Sequence, residues 1–109
     1  MFRFLKVQKP ESIDIGEVDD FIADIDVIDI RDTNEFEQGH IEGSRNIPAR
    51  KLLLEPMRYL KQELKSYIVC QNGVNSTRVA QILNKEGFKV GNVRHGMDAY
   101  HKDDVLLAE

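Results

Sequence analysis

Residues 67–88, YIVCQNGVNSTRVAQILNKEGF, pass from a β-branched run through a polar turn into a helical period with no spacer between them. The run 66–70, SYIVC, is short enough for a buried strand, and Gly73 punctuates the turn that follows. Val79, Ile82 and Leu83 then recur at i, i+3 and i+4, the face of a helix that Ser76 or Thr77 is expected to cap. Working outward, DVIDI at 26–30 reads as a second strand and KVGNV at 89–93 as a weaker third. Val18, Phe21 and Ile22 mark one helix, and Leu53, Met57, Leu60 and Leu64 predict a single helical face over three turns. Pro56 suits a first helical turn, and Asp32 with Glu35 three residues on fits an N-terminal capping box. Strands alternating with helices predict an α/β sandwich with a mostly parallel central sheet flanked by helices. Ligands of such sheets sit beyond the carboxyl ends of the strands, where Cys70 stands.

The 109 residues predict one domain, 1–109, able to bury a core without disulfide or metal staples. No apolar run is long enough to span a bilayer, and MFRFLKVQKPES at the start lacks the pattern of a secretory signal, so the cytoplasm is the expected compartment. Fifteen basic residues against nineteen acidic ones disfavour nucleic acid and anionic membrane as partners. Cys70 is the only cysteine, which excludes an internal disulfide, and histidines at 40, 95 and 101 offer no metal-ligand spacing around it. No metal or cofactor is expected.

A lone cysteine at a strand end is commonly a small buried hydrophobe. A polar, glycine-containing loop leading into a helix argues for chemistry instead. The loop Gln71, Asn72, Gly73, Val74, Asn75 and Ser76, folded over Cys70, would aim successive backbone N–H groups at the sulfur, with the helix dipole behind them. Such a cradle favours the thiolate, the nucleophilic form, without a histidine base. Ser76 and Thr77 are candidates to add hydroxyl donors.

Three ordered motifs carry a resemblance. VIDIRDTNEFEQGHIEGSRNIP (27–48), CQNGVNS (70–76) and VGNVRHGMDAY (90–100) together resemble the rhodanese-like sulfurtransferase domains over nearly the whole chain, with His95 and Tyr100 where glycine and tryptophan are commoner. The resemblance implies a rhodanese-like three-layer sandwich and a persulfide mechanism. Cys70 would accept sulfane sulfur from a small-molecule or protein donor and pass it to a thiol or other nucleophilic acceptor. Members that use thiosulfate usually carry an arginine five residues after the cysteine, where this chain has Asn75; Arg78 lies inside the predicted helix. Asparagine lacks the bidentate, charge-assisted grip of a guanidinium, so thiosulfate turnover is expected to be weak. Related dual-specificity phosphatases have a longer loop with arginine six residues after the cysteine, a position that is Ser76 here, which disfavours phosphoryl transfer. The remaining alternative is a noncatalytic or redox-sensing module of the same fold.

Other polar residues have plainer readings beside the functional ones. His40 reads as a structural hydrogen-bonding residue. Asp29 and Arg31, at the end of a central strand, either position the catalytic loop or form an ion pair with a neighbour such as Glu35. Arg45 and Arg50 are candidates to line the mouth of the site in compensation for Asn75. The Leu52, Leu53, Leu54 and Met57 stripe reads as core.

Overall fold

A computed structural model describes residues 10–100; the leading segment discussed above, residues 1–9, and His101 lie outside them. Five strands form one sheet: β1 (Ser12–Asp14), β2 (Ile25–Asp29), β3 (Arg45–Asn46), β4 (Lys65–Val69) and β5 (Val90–Arg94). Their order is β1-β5-β4-β2-β3, and every pairing is parallel. The three strands read from sequence are the three central ones, each displaced by one residue from its expected bounds. β1 and β3 have three and two residues and little β-branched character, so they left no run to find.

The helices are α1 (Val18–Phe21), α2 (Thr33–Gln38), α3 (Ala49–Leu54), α4 (Pro56–Tyr59) and α5 (Val74–Lys85). Side chains of a strand alternate between its two faces, and the core divides accordingly. Ile28, Ile30, Ile68 and Cys70 point to one side and pack with Leu52, Val79, Ala80 and Leu83. Val27, Tyr67, Val69 and Val93 point to the other, where Ile15, Val18 and Ile41 cover them. The three-layer α/β sandwich is therefore present, with a wholly parallel sheet. As expected, Asp32 and Glu35 form the capping box of α2.

The helix expected through Leu53, Met57, Leu60 and Leu64 is broken. Glu55 adopts φ −138° and ψ 62° between α3 and α4, and Leu60 is already extended. A residue before proline is disfavoured in the helical region, so Pro56 starts a new helix instead of continuing the old one. The break turns the stripe: Leu52 is fully buried and Leu53 partly so, whereas Leu54 and Met57 are 71% and 82% exposed. The core reading holds for the first pair and fails for the second.

Candidate active site

After β2 the chain turns outward to β3, and after β4 it turns the other way, to β5. The carboxyl ends of these adjacent strands therefore flank the switch point of the sheet, where the fold leaves a crevice. Cys70 follows β4 directly, and Ile30–Arg31 follow β2; the Ile30 amide still donates to the Val69 carbonyl at 3.0 Å.

The loop after Cys70 is tighter than the sequence suggested. Gly73, with φ at +92°, reverses the chain and is itself the residue before α5, so neither Ser76 nor Thr77 is the cap. Both lie in the first turn and return their hydroxyl protons to the Gly73 carbonyl, at 3.2 and 2.7 Å. The reversal brings two amides onto the sulfur: Gly73 N–H at 3.1 Å and Ser76 N–H at 3.2 Å. The Cys70 thiol in turn donates to Ser76 Oγ at 3.3 Å. The Val74 amide is taken by Asn72 Oδ1 at 3.0 Å, so the cradle is a pair of N–H groups and one hydroxyl, not every amide of the loop. Thr77, held on Gly73, does not contribute. Cys70 is 3% exposed and Ser76 fully buried, which leaves the sulfur in contact with the protein on nearly all sides.

The loop is held from two directions. Arg31 grips the fully buried Asp29 through Nε and Nη2, and its Nη1 donates to Gln71 Oε1 at 3.1 Å while Nη2 also reaches the Gly39 carbonyl. Gln71 passes its own amide proton to Asp98. Asp29 and Arg31 thus form an ion pair with each other, not with Glu35, and position the loop as well. On the other side, the Met97 and Asp98 amides donate to the carbonyls of Cys70 and Gln71 at 2.9 and 2.8 Å. Gly96 allows this approach: a Cβ there would lie 2.5 Å from the Cys70 carbonyl oxygen. This second buttress was missed in the sequence; the Gly-Met-Asp run is its only trace.

His95, at the position where glycine is commoner, has φ +74°, the only non-glycine residue with positive φ among those described. Its ring meets Asp14 Oδ2 at 2.9 Å. The Asp14 carboxyl lies below its ordinary value, chiefly because the Gly16 amide donates to it, then because of His95 and Arg94. The other candidates are not among the groups that bond the sulfur. Arg45 is committed to buried Asp26 and the Tyr59 carbonyl, so it cannot line the mouth. Arg50, Asn75 and Arg78 are exposed. His40 stacks on Phe36 at 3.8 Å and engages its carbonyl through Nδ1, a structural contact. Among the described residues no group of three or more His, Cys, Asp or Glu is placed to hold a metal, and no helix is long and apolar enough to cross a membrane.

The family model that matches this chain is the rhodanese-like domain, over residues 14–103. The Bacillus subtilis protein YqhL is 46% identical over 56% of this chain, which spans only 48% of that relative's length. The Shewanella oneidensis protein named thiosulfate sulfurtransferase GlpE is 32% identical, covering 72% of this chain and 77% of its own. Among solved structures, a rhodanese-related protein from Thermoplasma volcanium superposes with a TM-score of 0.75 at 26% identity, over 85% of this chain and 92% of the other.

Proposed function

The chain belongs to the rhodanese-like domain family, and from that premise we propose that it works as one such domain, a cytoplasmic sulfurtransferase that carries sulfane sulfur on Cys70. The observation that carries this reading is the pair of amides, Gly73 and Ser76, that donate to Sγ at 3.1 and 3.2 Å. Fixed dipoles aimed at one atom stabilise negative charge there without reorganising during the reaction.

In the first half-reaction the Cys70 thiolate attacks the outer sulfur of a persulfide donor. A new S–S bond forms at Cys70, the donor's S–S bond breaks, and its electron pair leaves with the donor as a thiolate. In the second, an acceptor nucleophile attacks the outer sulfur of the protonated persulfide Cys70–S–SH, that S–S bond breaks with its electron pair returning to Cys70 as thiolate, and the proton leaves on the transferred sulfur. No external oxidant or reductant enters. Ser76 Oγ, 3.3 Å from Sγ, accepts from the thiol and, with its rotor turned, donates to the thiolate, so it follows the charge through the cycle. Donors with their own thiolate leaving group are favoured over thiosulfate, because Asn75 supplies no guanidinium for the sulfonate oxygens.

Mass spectrometry tests the reading. Reduced protein treated with a low-molecular-weight persulfide should gain the mass of one sulfur atom, lose it to a thiol acceptor, and show neither change as Cys70→Ser. Absence of transferable sulfur on wild type would leave the noncatalytic module as the correct account, a rival supported by Asn75 and by the 3% exposure of Cys70.

A further inference from the structure

At the opposite end of the sheet from Cys70, the break at Pro56 leaves a groove of about 510 Å³ between the segment after α4 and the start of β5. We propose that this groove docks an acidic, leucine-bearing amphipathic segment of a partner protein. Its apolar lining is Leu60, Leu64 and Phe88 with the exposed Met57, and its charged lining is Lys61, Lys65 and Lys89. None of its eleven lining residues is acidic, in a chain where acidic residues outnumber basic ones nineteen to fifteen. The lining itself is thus basic and apolar, with Glu11 against Lys65 and the exposed Glu63 and Glu86 next along the chain from lining residues, and the charge that complements the lining is negative.

Lys65 is partly spent on Glu11, 2.7 Å away, whose carboxyl it holds below the usual carboxylate range. Lys61 and Lys89 are exposed and in no ion pair among the described residues; the field of Lys89 also falls on Glu11, so Lys61 is the less engaged of the two. Met57, at 82% exposure, is a flexible side chain suited to cover an incoming apolar residue. The volume lies within the roughly 300–1,000 Å³ of clefts that bury ligand groups. Position gives the docking a use. Lys65 and Cys70 stand at opposite ends of one strand, about 16 Å apart at the rise of an extended chain, so a partner held here leaves the sulfur open to donor and acceptor.

The test uses a fluorescein-labelled synthetic peptide, glutamate-rich with leucines at helical spacing, and the full chain, read by fluorescence anisotropy. Wild type should bind it, raising NaCl from about 0.05 to about 0.5 M should weaken binding, and Lys61→Glu with Lys89→Glu should raise Kd at least tenfold. Met57→Ser, a change at a solvent-facing position, should raise Kd about threefold to tenfold without altering the circular dichroism spectrum. A lysine-rich peptide of the same leucine pattern should not bind. Equal affinity of the charge-reversed variant, or equal binding of the lysine-rich peptide, overturns the proposal. Sulfur loading of Cys70 is measured on the same samples; it should be unchanged by the groove variants, and peptide binding should be unchanged in Cys70→Ser, so docking and sulfur transfer can each fail without the other.

Discussion

Gly96→Ala should unfold the buttress beneath the cysteine loop, and three glycines let the cost be separated into parts. Gly39 has an extended φ and nothing within 4 Å of where a Cβ would stand, so Gly39→Ala should change stability by less than about 0.5 kcal/mol. Gly87 also has open space but a φ of +101°, so Gly87→Ala should cost about 1–2 kcal/mol for backbone conformation alone. Gly96, at φ 63° and ψ −168°, occupies a region that only glycine adopts readily, worth about 1–3 kcal/mol. Its new Cβ would in addition meet the Cys70 and Gln71 carbonyl oxygens at 2.5 and 2.6 Å, so backbone must move. Moving it weakens the two amide bonds from Met97 and Asp98, at about 0.5–1.5 kcal/mol each. The sum is about 2–6 kcal/mol, or a fall in Tm of roughly 10 °C or more for a domain of this size. Urea titration followed by circular dichroism and tyrosine emission measures it, since the chain has three tyrosines and no tryptophan. Cys70 alkylation in the native baseline reports whether the loop is displaced. A Gly96→Ala variant no more costly than Gly87→Ala would refute the assignment of this turn as the loop's support.

Arg31→Ala strips the partner from fully buried Asp29 and should cost about 3–5 kcal/mol in urea titration; adding Asp29→Asn should recover part of it, because the uncompensated charge goes. Asn75→Arg should raise kcat/KM for thiosulfate about tenfold or more, the worth of one charge-assisted contact, in a cyanide-coupled assay; no change would show that the missing guanidinium does not limit that donor. Asp14 sits below its ordinary value of 3.8, so it binds its proton less readily folded than unfolded, and its contribution is full above that value and lost as pH falls through the lower, folded one. The Tm gap between wild type and Asp14→Asn should therefore be widest above about pH 5 and narrow on acidification below that.

The amino-acid order by itself settled the α/β class, the three central strands and the placement of Cys70 between a strand and a helix, because these are written in short β-branched runs and in helical spacings of three to four residues. It also settled the α2 capping box, whose two partners are three positions apart. Tertiary structure decided what no local period records. Arg31 and Gln71 are forty positions apart and meet only because β2 and β4 are neighbours across the switch point. Met97 and Asp98 reach the cysteine loop only because β5 returns beside β4. The edge strands β1 and β3 exist by pairing with longer neighbours, and polar Asp26 and Arg45 are buried or half-buried because each neutralises the other. Which of the loop amides face the sulfur was likewise fixed by the left-handed turn at Gly73, a backbone angle that composition permits but packing selects.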